Sequence, residues 1–126
     1  MTPLLVALGG ACGALSRYGI DSAVRRFGRG AFPWATLVVN LLGSFLIALV
    51  TGWAAFGGNA PSWVRTLLVA GLCGALTTFS TFGVDTVRLY VRGARFSAVL
   101  NVLVTVLGGL LAAGVGLGAA LLSRGW

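Results

Sequence analysis

The sequence contains little charge and no histidine. Only 9% of its 126 residues are charged, whereas soluble domains carry about a quarter, so a soluble globular domain is excluded. The two cysteines, Cys12 and Cys73, lie far apart inside apolar segments. Without histidine or a Cys-x-x-Cys pair, a conventional zinc site is not expected. We interpret both cysteines as small buried hydrophobic residues.

Acidic side chains are limited to Asp21 and Asp85, each near the end of an apolar segment. Small four-helix exporters of cationic compounds need a carboxylate within the membrane, where it binds the cation and exchanges it for protons. No span carries one in its middle, and no catalytic triad, metal cluster or phosphate-binding loop is present. These absences argue against an exporter and against an enzyme. An exporter, and a purely structural subunit of a larger complex, remain open as alternatives.

The composition is instead that of an all-α integral membrane protein, with 58% hydrophobic residues and a mean hydropathy of +1.00. Apolar segments cover residues 3–20, 34–54, 63–90 and 96–122. Each approaches or exceeds the roughly 20 helical residues that cross a hydrocarbon core. We predict one transmembrane domain of four helices over residues 1–126. Met1-Thr2-Pro3 provides no basic region, so a cleaved signal peptide is not expected.

All nine basic residues are arginines, and most lie between the apolar segments. Arg17 lies at the end of segment one and is not counted here. The first and third loops carry six arginines, namely Arg25, Arg26, Arg29, Arg88, Arg92 and Arg95. The opposite side carries two, Arg65 and Arg124. The positive-inside rule then places the first and third loops in the cytoplasm and both termini outside. We interpret the net charge of +7 as the result of arginines that set the membrane topology and contact lipid headgroups. Nucleic-acid binding is not expected. Tryptophans near segment ends fit interfacial anchors: Trp34, Trp53, Trp63 and Trp126.

Small residues recur at four-residue spacing in the first and fourth segments. They are Gly9 and Gly13, Gly10 and Ala14, and Gly109, Ala113, Gly114 and Gly118. Such spacing lets another helix approach closely. We predict tight helix packing through these residues, within one subunit or between two.

One stretch of the third segment, residues 71–82, combines two glycines, three threonines, a serine and two phenylalanines. Glycine weakens a helix, and hydroxyls compete for its backbone hydrogen bonds. Non-helical backbone at membrane depth is tolerated only where protein buries it or it lines a wet cavity. We predict that the third helix is broken between Gly74 and Thr78, at a functional site. Carbonyls freed there can coordinate a cation such as sodium, provided that two copies meet at a symmetric interface.

Neutral polar side chains form a stripe on the second segment and another on the fourth. The stripes are Thr36, Asn40 and Ser44, and Asn101, Thr105 and Gly109. Residues four apart share a helix face. A single hydroxyl usually bonds its own helix backbone. Two stripes together with the cluster on segment three indicate a lined path.

Such a path suits an anion, because hydroxyl and amide groups donate hydrogen bonds while a carboxylate would repel. Arg17, at the end of segment one, can draw anions into a vestibule. Phe79 and Phe82 share a face at i, i+3 spacing, and their positive ring edges can contact a small desolvated anion. Ordinary packing is the simpler interpretation for these two rings.

Three motifs together resemble those of the Fluc (CrcB) family of fluoride channels. They are GGxxGAxxRY from residue 9, TLxVNxxGSF from residue 36 and GxxGxxTTFSTF from residue 71. The third motif is the most specific, and the resemblance covers essentially the whole chain. Ala35 stands where the family often has glycine, and Gly109 where a further hydroxyl is usual.

The resemblance implies an antiparallel, dual-topology homodimer in the bacterial inner membrane, with two passive fluoride pores at the subunit interface. It implies that Phe79 and Phe82 supply aromatic edges, that Asn40 is a donor beside them, and that Ser80 and Thr81 belong to the polar track. Further pore positions would be Thr36, Asn101 and Thr105, with Arg17 in the vestibule. A structural sodium ion would be held by the Gly74 and Thr77 carbonyls of each subunit. The six-to-two arginine bias is appreciable for dual topology, so a pair of oppositely oriented homologues stays open.

Overall fold

The computed structural model describes residues 1–28 and 30–123, and the regular structure in these ranges is entirely helical. The elements are α1 (Thr2–Phe27), α2 (Trp34–Ala55), α3 (Ser62–Arg65), a π-helix (Thr66–Cys73), α4 (Gly74–Leu76), α5 (Phe79–Val91) and α6 (Arg95–Leu122). Four stretches are long and apolar enough to cross a membrane: Thr2–Phe27, Trp34–Ala55, Ser62–Val91 and Arg95–Leu122. The all-α architecture with four such helices is therefore confirmed. Arg29, Arg124 and Trp126, used above for topology and anchoring, lie outside the described residues.

Helix α1 continues to Phe27, beyond the end of the first apolar segment at Ile20. Arg25 Nε donates to Asp21 Oδ2 over 2.7 Å, an i, i+4 pair that supports this polar last part of the helix. The helix ends at Gly28, whose backbone is extended and whose N–H donates to the Val24 carbonyl. The first helix thus carries a charged turn that hydropathy alone does not assign to it.

Helix α1 packs against the π-helix with the two backbones in direct contact. A Cβ atom at Gly9 would collide with the Leu67 carbonyl, and one at Gly13 would collide with the Leu72 carbonyl. At Gly71 a Cβ would lie 2.9 Å from the Cα atom of Gly9. The predicted close approach through Gly9 and Gly13 is confirmed, and its partner is the third span of the same subunit.

Close packing on α6 uses glycines other than those predicted. A Cβ at Gly116 would collide with the Phe45 carbonyl, and one at Gly108 would lie 2.9 Å from Leu41 Cδ2. Nothing lies within 4 Å of the Cβ position of Gly114 or Gly118. These two glycines make no close approach within one subunit, and their packing between two subunits stays a prediction, whereas the Cβ position of Gly109 lies 3.5 Å from Ser44 Oγ on α2. The fourth segment carries small residues on more than one face, and their spacing does not tell which face contacts α2.

The core of the subunit is small, because most large apolar side chains point outward. Cys73 is buried as predicted, whereas Cys12 is exposed on the subunit surface, which corrects its interpretation as a buried residue. Helix α2 packs mainly on α6, and α5 also packs on α6. This arrangement places the start of α5 beside the first third of α2, where Thr36 and Asn40 lie.

Candidate functional site

Two residues of the third span have extended backbone. Thr77 has φ −78° and ψ 157°, and Thr78 has φ −152° and ψ 122°, between α4 and α5. The side-chain amide of Asn40 pairs with Thr78: Thr78 N–H donates to Asn40 Oδ1 over 2.8 Å, and Asn40 Nδ2 donates to the Thr78 carbonyl over 3.1 Å. This pairing satisfies both backbone polar groups of Thr78, which is only 8% exposed. At Thr78, Asn40 thereby meets the requirement that non-helical backbone at membrane depth be hydrogen-bonded.

The carbonyls of Gly74 and Thr77 lose the donors that a continuous α-helix would provide. In such a helix they would accept from the N–H groups of Thr78 and Thr81. Here Thr78 N–H donates to Asn40 Oδ1, and Thr81 N–H donates to Thr78 Oγ1 over 3.2 Å. Two side chains therefore leave two main-chain oxygens without their helix partners. Gly74 itself is still helical, so the extended residues are fewer than the predicted range from Gly74 to Thr78.

A cluster of hydroxyls lies directly at the start of α5. Thr78 Oγ1 caps this helix and donates to Thr81 Oγ1 over 3.1 Å, and Ser80 Oγ lies 3.3 Å from Thr78 Oγ1. Arg17 Nη2 donates to Thr81 Oγ1 over 2.8 Å. Thr81 Oγ1 thus accepts two hydrogen bonds, which leaves its own proton free to be donated. The structure therefore brings Arg17, Ser80 and Thr81 together around Thr78.

An open pocket of about 390 Å³ lies beside this cluster. Arg17, Thr36 and Thr81 are among its lining residues. The guanidinium of Arg17 gives the pocket a positive group, and Thr81 supplies a hydroxyl. Asp21 and Arg25 also line the pocket, so its charged lining among the described residues is two guanidinium groups and one carboxylate.

The two phenylalanines of the motif lie against each other. The ring centroids of Phe79 and Phe82 are 5.7 Å apart, and the ring planes are tilted by 49°. Phe79 is 84% exposed on the single subunit, and Ser80 beside it is also exposed. A large aromatic ring and a hydroxyl therefore occupy an uncovered surface in the middle of the third span.

Thr36 is bonded to a carboxylate. Its Oγ1 donates to Asp85 Oδ2 over 2.8 Å and so joins α2 to α5. The proton of this hydroxyl is therefore directed to Asp85. The sequence places Asp85 near the end of an apolar segment, whereas in the structure it lies in the middle of α5. Thr78, Thr81 and Asp85 follow i, i+3, i+7 spacing, which places them on one helix face. This spacing could have identified Asp85 from the sequence.

The polar residues of α6 are separate from the hydroxyl cluster. Asn101 is 1% exposed, and its Nδ2 donates to Thr86 Oγ1 over 2.9 Å. Thr86 Oγ1 in turn donates to the Phe82 carbonyl over 2.8 Å. Thr105 Oγ1 is buried and has no hydrogen-bond partner among the described residues. Thr86, which no polar stripe or motif of the sequence marks, thus connects Asn101 to the helix that carries the phenylalanines.

Comparison with known proteins identifies the family. The family model described as CrcB-like protein, Camphor Resistance (CrcB), matches residues 4–117. A "Fluoride-specific ion channel FluC" of Renibacterium salmoninarum is 44% identical over 126 residues, covering 95% of this chain and 99% of the relative. A "Fluoride-specific ion channel FluC 1" of Frankia casuarinae is 46% identical over 131 residues, covering 100% and 99%. A relative of the same name as the first, from Methylobacterium nodulans, is 39% identical over 124 residues, covering 98% of each chain. The chain is a multi-pass membrane protein that belongs to the CrcB family.

Proposed function

We propose that this protein is a passive, fluoride-selective ion channel and not an enzyme. The names of the relatives support fluoride as the transported ion. The observation that carries the proposal is the cluster of neutral donors around Thr78, with Arg17 bonded to Thr81 and two phenylalanines adjoining it. Such a site offers hydrogen bonds to a small anion. Its physiological role would be to let fluoride that entered as HF leak out of the cytoplasm.

The free donors define a path for the anion. Arg17 would attract it at the vestibule, and the unassigned proton of Thr81 would be donated to it. Asn40 Nδ2 carries two hydrogens and uses one on the Thr78 carbonyl, so the second is available. Phe79 and Phe82 would then present their positive ring edges.

The remaining predicted pore residues differ in what they can still donate. Thr36 has committed its proton to Asp85, so it would act as an acceptor or as a positioning residue. Asn101 Nδ2 uses one of its two hydrogens on Thr86. The buried Thr105 hydroxyl remains a free donor within the described residues. Among these, Thr105 is therefore the strongest candidate for direct contact with the ion.

An antiparallel homodimer with two pores at its interface would complete the site. Gly74, Phe79 and Ser80 are exposed on the single subunit, and exposing polar groups to lipid is costly. A second copy would cover this surface and contribute its own donors. A pair of oppositely oriented homologues is the second candidate. It is favoured by the arginines, because Arg25, Arg88 and Arg92 line one pocket at the same end of the bundle.

A structural sodium ion is consistent with the residues present. The Gly74 and Thr77 carbonyls have lost their helix donors, and hard cations prefer oxygen ligands. Clusters of His, Cys, Asp or Glu that could hold a metal are absent from the described part of the chain, so backbone oxygens are the available ligands. One subunit offers two such carbonyls, and a second copy would double the set. When bound, sodium would supply positive charge that holds these carbonyls together across the interface.

Fluoride efflux from liposomes that contain only the purified protein tests the function. We expect fluoride release, followed with a fluoride electrode, without added nucleotide or a proton gradient, and no comparable release of chloride. Phe96→Ile, at the exposed start of α6, is a control for effects of apolar substitution on reconstitution. Equal fluoride and chloride fluxes, or no flux above empty liposomes, would refute the proposal.

A further inference from the structure

A second pocket lies at the end of the bundle where the first and third loops meet. Its volume is about 280 Å³, and it lies between the end of α1, the first loop, the start of α2 and the last turns of α5. Among the described residues, its charged lining consists of Asp21, Arg25, Asp85, Arg88 and Arg92. Arginines therefore outnumber aspartates in the described lining, three to two. The fluoride path proposed above does not use Arg88 or Arg92.

Arg88 and Arg92 are available to bind an external anion. Arg88 lies in the last turn of α5, and Arg92 directly follows the helix four residues later, so both lie on one side of it, and both are exposed. Among the described residues the single ion pair joins Arg25 to Asp21, and the Asp85 carboxylate accepts from Thr36. Neither aspartate therefore forms an ion pair with Arg88 or Arg92. Two guanidinium groups remain on one side of the pocket, each suited to bind a phosphate oxygen.

The position of the pocket matches the depth of lipid headgroups. It opens at the ends of membrane-spanning helices, and Phe32 and Trp34 also line it. These two rings lie 4.7 Å apart between centroids, and aromatic residues are enriched at the membrane interface. Basic pockets between membrane helices bind anionic headgroups. We propose that this pocket binds the phosphodiester headgroup of an anionic phospholipid, whose negative charge is complementary to the positive excess of the described lining.

Native mass spectrometry of the purified protein, in whichever oligomeric state it occupies, tests this directly. The probes are phosphatidylglycerol and phosphatidylcholine with identical acyl chains, each titrated from low concentration. We expect retained phosphatidylglycerol adducts and much weaker phosphatidylcholine binding. In the Arg88→Gln/Arg92→Gln variant, phosphatidylglycerol should bind about thirty-fold more weakly, because each arginine near the membrane surface contributes about five-fold to the affinity. The matched control Arg65→Gln, on α3 at the other end of the bundle, should leave this affinity unchanged.

Three results would overturn the proposal. They are equal affinity for the two lipids, unchanged binding in the double variant, and displacement of phosphatidylglycerol by an equal concentration of inorganic phosphate. The last would show a site for free phosphate instead of a lipid. If the double variant fails to assemble, Arg92→Gln alone at the exposed end of α5 provides the same comparison, with an expected loss of about five-fold. Lipid binding is measured without ion flux, so its outcome is independent of the proposed channel function.

Discussion

Replacing Asn40 with aspartate tests whether its side chain holds the extended backbone of the third span. Asn40→Asp keeps the shape and the oxygen that accepts from Thr78 N–H. It removes the donor that bonds the Thr78 carbonyl over 3.1 Å and places a second oxygen against that carbonyl. Leaving a buried carbonyl without its partner costs about 1–3 kcal/mol. Repulsion between the carboxylate and the carbonyl adds to this, so we expect the upper part of that range.

Both flux and stability should respond to this change. We expect fluoride efflux from liposomes to fall at least about tenfold, because destabilising the conducting geometry by about 1.4 kcal/mol raises the free-energy barrier enough to give that factor. Thermal unfolding in detergent, followed by tryptophan fluorescence, should show a lower midpoint. The same chemical change at the exposed Asn59, in the loop before α3, is the matched control and should alter neither measurement.

The pH dependence gives the prediction a specific sign. A protonated carboxyl can donate to the Thr78 carbonyl, whereas a carboxylate cannot. The lost stability should therefore return as the pH falls far enough to protonate the introduced group, and it should be lost again as the pH rises. A variant with normal stability and no flux would show that Asn40 acts only as a donor to the ion. Normal stability together with normal flux would refute the whole reasoning.

Three further predictions follow from contacts in the same region. Gly13→Ala should destabilise the protein by about 2–3 kcal/mol, because its Cβ would collide with the Leu72 carbonyl. Gly10→Ala should be tolerated, because no atom lies within 4 Å of its Cβ position. Equal unfolding midpoints for the two variants would contradict the close packing at Gly13. Phe82→Ile should reduce fluoride efflux about tenfold or more while the elution volume on size exclusion stays unchanged. Normal efflux would assign that ring to packing alone. Thr78→Val should cost about 1 kcal/mol through the lost helix cap, and Thr78→Ser should restore it in the same unfolding assay.

Much of the architecture follows from the residue pattern. The four apolar segments, the all-α class and the polar load of residues 71–82 are local properties of the sequence. Local patterns also explain why extended backbone occurs at Thr77 and Thr78, where two hydroxyls can compete with the helix. They do not distinguish these residues from Gly74, which stays helical. No residue type in 66–73 marks the π-helix that packs against α1.

The pairing between helices could not be predicted from the stripes. Asn40 bonds a backbone 38 positions away, and Thr36 bonds Asp85 on another helix. A stripe shows which residues share a face of one helix but not which face of another helix it meets. For the same reason, the stripes do not predict that Asn101 bonds Thr86 while Asn40 bonds Thr78.

The hydrogen bonds at the extended segment connect assembly to ion binding. Asn40 and Thr78 take the N–H donors that the Gly74 and Thr77 carbonyls would otherwise use. An amide group left without a hydrogen bond in hydrocarbon costs about 2–7 kcal/mol, so a lone subunit with Gly74 exposed to lipid would be unstable there. A second subunit and a cation would each remove part of this cost. A ligand that binds only the dimer stabilises the dimer by an amount that grows with the logarithm of the ligand concentration. The proposed dimer should therefore dissociate more readily when sodium is replaced by a large organic cation.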